Sequence, residues 1–121
     1  EKSLSLISDL GCKPGLVVNP DISLDVLNPY IEDLYMVLLM SVFPGFGGQA
    51  FIPEVLDKIS ELRKTIDDLN KKIRLEIDGG VKVDNISKIS ESGADTFVAG
   101  SAIFNEENYK DTITKFKSLI D

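Results

Sequence analysis

The 121-residue chain contains no histidine and only one cysteine, Cys12. Without an imidazole it cannot hold a Ser-His-Asp or Cys-His nucleophile system, nor the HExxH helix of a zinc hydrolase. Acid–base chemistry is left to carboxylates, lysines, tyrosines or the thiol. A single thiol excludes an internal disulfide framework and offers no metal-site spacing. Long apolar runs are missing as well: none approaches the roughly 20 residues of a membrane span. The opening Glu1-Lys2-Ser3-Leu4 does not read as a signal peptide, so a cytoplasmic location is the expectation. Positive charge is scarce, with 13 Lys and Arg against 20 Asp and Glu, a net charge of -7 and a pI of about 4.5. That balance argues against nucleic-acid backbones and anionic membranes as partners. The basic cluster Lys71-Lys72-Ile73-Arg74 follows Asp67-Asp68 and reads as a solvated helix-to-strand junction.

What is present is the material of one domain, 43% hydrophobic. Four runs, residues 15–19, 37–42, 74–78 and 96–100, are near-continuously apolar, as expected of parallel strands covered on both faces. Helical patterns separate them. Residues 53–70 place Val55, Leu56, Ile59, Leu62, Ile66 and Leu69 at three- and four-residue spacings, with Pro53 suited to the first helical position. Segment 23–34 starts at the N-capping Ser23 and restarts at Asn28-Pro29, which predicts two short pieces. Asp84 is expected to cap a helix through Ile86 and Ile89 that stops at Gly93. Tyr109, Ile113, Phe116 and Ile120 share a stripe in residues 106–120, and Leu4 to Leu10 before Gly11 reads as the end of a helix. The order α-β-α-β-α-β-α-β-α implies a parallel sheet. It leaves two architectures, an open doubly wound sheet or part of a (β/α)8 barrel whose edge strands would lie bare.

Chemistry collects where strands end. Pro44-Gly45-Phe46-Gly47-Gly48-Gln49 follows the second strand, Asp78-Gly79-Gly80 ends the third, and Gly100-Ser101 ends the fourth. In barrels and open sheets alike that rim carries the active site. Three patches of bare backbone N–H could converge on one anion, amide dipoles replacing lysine or arginine. The alternative is that each glycine only makes a tight turn. Asp78 closes an apolar strand, where its carboxylate would face the rim as general base or metal ligand, unless Asp-Gly is there only as a turn pair. Glu76 shares its face. Cys12 is expected to be inert, and Phe46 and Phe51 to anchor the glycine loop.

These motifs, MSVFPGFGGQAFIPEVLDKISELR from Met40, LEIDGGVKVDNI from Leu75 and GADTFVAGSAIF from Gly93, resemble the C-terminal half of the ribulose-phosphate 3-epimerase family across essentially the whole chain. Gly-Phe-Gly-Gly-Gln followed by Phe-Ile-Pro narrows the choice most. The resemblance implies residues 1–121 as strands five to eight of a (β/α)8 TIM barrel. It also implies interconversion of D-ribulose 5-phosphate and D-xylulose 5-phosphate through a proton moved at C3 by two aspartates, with a divalent metal, commonly zinc. Asp78 would be one aspartate and a metal ligand. Gly45, Phe46, Gly47, Gly48, Gly79, Gly80, Gly100 and Ser101 would line the substrate and phosphate site, with Met40 packed beneath the substrate. The family's other aspartate, metal-binding histidines and substrate serine belong to strands one to three and have no counterpart here, and Phe43 stands where a polar residue is expected. The chain is thus expected to be an incomplete fragment with little activity of its own. Two other readings are a self-associating half-barrel, a homo-oligomer joined through its exposed edges that binds phosphate without catalysis, and a sister enzyme such as allulose-6-phosphate 3-epimerase.

Overall fold

The computed structural model of the protein describes residues 2–43, 50–104 and 106–120. Its elements run α1 (Lys2–Asp9), β1 (Gly15–Val18), two 3-10 turns (Leu24–Leu27 and Ile31–Asp33), β2 (Met36–Met40), α2 (Val55–Asp68), β3 (Arg74–Asp78), α3 (Ile86–Ser92), β4 (Thr96–Val98), α4 (Ser101–Phe104) and α5 (Tyr109–Ile120). The four strands are all parallel and lie in the sheet in chain order. A doubly wound sheet reverses its strand order at a switch point. None occurs here, and the consecutive order is that of a (β/α)8 barrel wound in one direction. The chain forms half of such a barrel.

Burial alternates along the central strands. Val37, Leu39, Leu75 and Ile77 are fully covered, whereas Met36, Leu38, Met40, Glu76 and Asp78 on the opposite face are half-buried. Period-two side-chain direction makes this one face against the helices and one face left open. The covered face meets Val55, Ile59, Leu62 and Ile66 of α2, Ile86 and Ile89 of α3 and Phe116 of α5. Each such aliphatic side chain contributes about 1.5–3 kcal/mol on burial. The expectation of strands covered on both faces is therefore corrected: the second face is only partly covered, and Val17 of β1 stands 61% exposed on it.

Local predictions hold where local chemistry decides. Residues 23–34 do form two short pieces, with the Ser23 hydroxyl accepting from the Asp25 amide at 3.2 Å. Gly11 and Gly93 end α1 and α3 with positive φ. Three predictions are revised. Pro53 lies two residues ahead of α2, in a turn where its carbonyl accepts from the Leu56 amide. Asn85 rather than Asp84 stands at the start of α3. The stripe on α5 is only partly covered, with Phe116 buried but Tyr109 and Ile113 exposed.

Candidate functional site

Strand register builds the rim. Met40 pairs with Asp78 and Asp78 with Val98, so the three lie side by side at the C-terminal ends of β2, β3 and β4. Alternation turns them to the open face of the sheet. Asp78 is half-buried, and its carboxylate makes no hydrogen bond or ion pair among the described residues. One layer below, Glu76 sits in register with Leu38 and Thr96. Two residues along one strand put it about 7 Å from the Asp78 level.

The backbone of Asp78 is held from the neighbouring strand. Ser41 is wholly buried, its amide donates to the Asp78 carbonyl at 2.9 Å, and its hydroxyl proton is shared between the carbonyls of Asp78, at 3.1 Å, and Gly79. The Ser41 carbonyl in turn accepts from the Ile52 amide at 2.8 Å. The chain thus leaves β2 at the rim and returns to the same point after the glycine loop. The four loop positions Gly45, Phe46, Gly47 and Gly48 lie outside the described residues. Phe51, beyond the loop, packs against the core.

Gly79 and Gly80 both have positive φ, 126° and 70°, and both are crowded. A Cβ on Gly79 would come 2.9 Å from the Val42 amide nitrogen, and one on Gly80 would come 2.8 Å from the Phe51 Cα. These two glycines therefore let the strands' connecting chains pass close together, whatever else they do. Gly100 differs: it has no positive φ, and no described atom lies within 4 Å of where its Cβ would be. Ser101 begins α4 immediately after it. Asn85 closes the Gly80 loop, its Nδ2 donating to the Gly80 carbonyl at 2.9 Å and its Oδ1 accepting from the Lys82 amide at 2.8 Å. A cavity of about 450 Å³ opens beside this loop, between Phe51 and Leu56 on one side and Gly80, Lys82, Asn85 and Lys88 on the other.

Structure thus brings Met40, Asp78 and the Gly79-Gly80 turn together at one rim and puts Gly100 and Ser101 just past the end of the adjacent strand. Sequence reasoning missed Ser41 and Asn85. A lone serine after an apolar run and an asparagine three residues after Lys82 were the available signals, and neither is specific. Among the described residues no group of three or more His, Cys, Asp or Glu side chains could hold a metal ion. Asp78 offers one carboxylate ligand, which does not by itself fit a bound metal. No helix among the described residues is long and apolar enough to cross a membrane.

Comparison with known proteins identifies relatives of the whole chain. The profile of the Ribulose-phosphate 3 epimerase family matches residues 1–104. The ribulose-phosphate 3-epimerase of Escherichia coli (strain K12) is 53% identical over 118 residues, which cover 98% of this chain and 52% of that protein. The Serratia marcescens ribulose-phosphate 3-epimerase is 54% identical over 110 residues, covering 91% of this chain and 52% of its own length. The chain therefore spans about half the length of these curated relatives. Among solved structures, 3-hexulose-6-phosphate synthase from Salmonella typhimurium superposes with a TM-score of 0.66 at 15% identity, over 97% of this chain and 53% of that one. KGPDC from Streptococcus mutans also gives 0.66, at 18% identity, over 98% and 51%. At such identities these two likenesses show the fold alone.

Proposed function

The chain belongs to the ribulose-phosphate 3-epimerase family, and from that premise we propose that it forms the C-terminal half of an epimerase of D-ribulose 5-phosphate and D-xylulose 5-phosphate, supplying the phosphate cradle and one of two acid–base groups. Asp78 carries this reading: a carboxylate at a strand's C-terminal end, on the open face, beside Met40 and with no partner among the described residues.

The reaction follows from the substrate's chemistry. The C3 hydrogen lies beside the C2 ketone and is weakly acidic. A carboxylate on one face takes it as a proton, the C–H electron pair enters a C2–C3 double bond, and the carbonyl oxygen gains the negative charge. A second acid then returns a proton to C3 from the opposite face and inverts the centre. Asp78 suits either role. Glu76 cannot be its opposite number, because it projects from the same face of the same strand. The second group, and donors that with Asp78 would complete a site for a divalent metal such as zinc, are assigned to a further half-barrel. Such a metal supplies electrostatic stabilisation of the developing oxyanion; the described donors do not complete its site.

Phosphate recognition is assigned to backbone N–H groups at Gly45 to Gly48, Gly79-Gly80 and Gly100-Ser101, with Phe46 closing the loop. Gly100 supports this most, since neither its φ nor any described neighbour requires glycine there. The bare edges of β1 and β4 and the open sheet face are where the other half would pair; in its absence two copies of this chain would associate there. The cytoplasm is the proposed location.

The test is deuterium uptake at C3 of ribulose 5-phosphate, together with binding of that sugar, by the 121-residue chain with and without zinc. Binding without exchange is the expected result. Absence of binding would remove the cradle, and metal-dependent exchange would show that a histidine-free chain can assemble the whole site.

A further inference from the structure

At the other end of the strands the chain gathers its scarce cations. Tyr35 stands immediately before β2, with the Lys13 Nζ 4.6 Å from its ring centroid and the Arg74 Cζ at 5.8 Å. Arg74 Nε also donates to the Tyr35 hydroxyl at 3.0 Å. Lys71 and Lys72, both exposed, precede Arg74 and line with it and Tyr35 one cavity of about 590 Å³. The far wall holds Arg63, whose guanidinium is already engaged by Asp95 at 3.0 Å and Asp67 at 3.5 Å, and by the Gly93 carbonyl at 2.8 Å. Lys71 donates to the Glu32 carbonyl at 3.1 Å, a neutral acceptor.

Among the described residues Lys13, Lys71, Lys72 and Arg74 therefore have no carboxylate partner, although acids outnumber bases in this chain. The two carboxylates that line the cavity, Asp67 and Asp95, both pair with Arg63, and the lining cations Arg63, Lys71, Lys72 and Arg74 outnumber them four to two. The excess of positive charge is self-repelling, and a bound anion relieves that repulsion. Cation–π contact and a phenol fix Arg74 and Lys13 in place, so both are already oriented. The junction read as merely solvated from sequence is thus one wall of a concave, net-positive recess that also takes in Tyr35, Arg63, Asp67 and Asp95.

We propose that this recess binds a small multivalent oxyanion of the phosphate class, held by Lys71, Lys72 and Arg74 beside Tyr35, with the Lys13 charge at the Tyr35 ring. It is separate from the Asp78 rim. Tyr35 precedes β2 and Met40 ends it, so the length of the strand, about 16 Å, divides the two. An anion here would act on the base of the sheet, not on the reacting carbon. Tyr35 offers a local reporter: its phenol is pulled below its ordinary value of 10.0 by the hydrogen bond from Arg74, by the Arg74 charge and by Lys13. An anion that neutralises those cations moves it back up.

The experiment titrates inorganic phosphate into isotope-labelled 121-residue chain at constant ionic strength, with chloride as the reference salt. Amide shifts are followed at neutral pH and tyrosinate absorbance at alkaline pH. Saturable shifts at Tyr35 and at residues 71–74, with phenol ionisation displaced upward, are expected. The double variant Lys71→Gln with Lys72→Gln touches neither group that contacts Tyr35, and it should weaken phosphate about tenfold. Tyr35→Phe identifies the displaced phenol. Three outcomes overturn the proposal: a response equal to that of chloride, shifts confined to residues 78–80 and 100, or a tetraglutamate peptide bound more than about tenfold tighter than phosphate. The last would make the recess a docking face for an acidic segment.

Discussion

Ser41 grips the backbone carbonyl of Asp78 twice, through its amide at 2.9 Å and its hydroxyl at 3.1 Å, while fully hidden from solvent. The end of β3 is thereby fixed from β2, and the Asp78 carboxylate needs no side-chain partner to be placed at the rim. Ser41→Ala should cost about 1–3 kcal/mol, because buried carbonyls lose a donor that water cannot replace. Urea unfolding of the two chains measures it. A loss below a few tenths of a kcal/mol would mean that the strand pairing alone sets the rim.

Asp78→Asn is expected to leave stability within about 0.5 kcal/mol, since the carboxylate has no partner to lose among the described residues. Any C3 exchange catalysed by the chain, alone or with a complementing half, should fall at least a hundredfold, the order general acid–base groups contribute. Binding of ribulose 5-phosphate should survive. If the variant unfolds instead, the carboxylate has a structural partner that the rim geometry does not include.

The glycines should separate into two kinds. Gly79→Ala and Gly80→Ala combine a positive φ with a backbone clash, and each should destabilise by about 2 kcal/mol or more. Gly100→Ala has neither burden and should change stability by less than about 0.5 kcal/mol while weakening ribulose 5-phosphate. Calorimetric melting and isothermal titration on the three variants decide it. Unchanged binding in Gly100→Ala would remove Gly100 from the cradle.

With both sheet edges unpaired among the described residues and Val17 61% exposed, the chain should self-associate as its concentration rises, as edge strands with apolar flanks do. Sedimentation would record the shift. Val17→Lys should reverse it without altering the circular dichroism spectrum, and a strictly monomeric wild-type chain would argue against edge pairing.

Tyr35 carries the pH dependence. Its folded-state pKa is depressed, so its contribution to stability is fully present only above its unfolded value and is lost as pH falls through the folded one. The stability gap between the wild-type chain and Tyr35→Phe should therefore widen as pH rises toward 10 and narrow toward neutrality. Urea midpoints at both ends test the sign, and a gap that shrinks with alkalinity would contradict it.

Much of the fold is legible without coordinates because its determinants are local. The apolar run ending in Asp78 fixes the end of β3, Ser23 and Asn28-Pro29 split segment 23–34, and Gly11 and Gly93 stop their helices through backbone freedom that only glycine has. Asp78 was identifiable for the same reason: a charged residue closing a buried strand marks a strand's end. Ser41 was not, because its role depends on a carbonyl 37 residues away in sequence. Nor was the choice of Asn85 over Asp84, which turns on whether the side chain can reach both Gly80 and Lys82.

The pattern of residues by itself determined the alternation of strand and helix, the rim on which the glycines and Asp78 gather, and the absence of imidazole chemistry. Tertiary structure alone decided that the strands lie in chain order, that only one face of the sheet is covered, and that Lys13, Tyr35 and residues 71–74 meet at its base. The physical reason is reach. Propensity, capping and periodicity act over a few residues, whereas strand order and burial depend on which distant segment arrives to exclude water, and a cation's environment is set by whichever charges folding carries beside it.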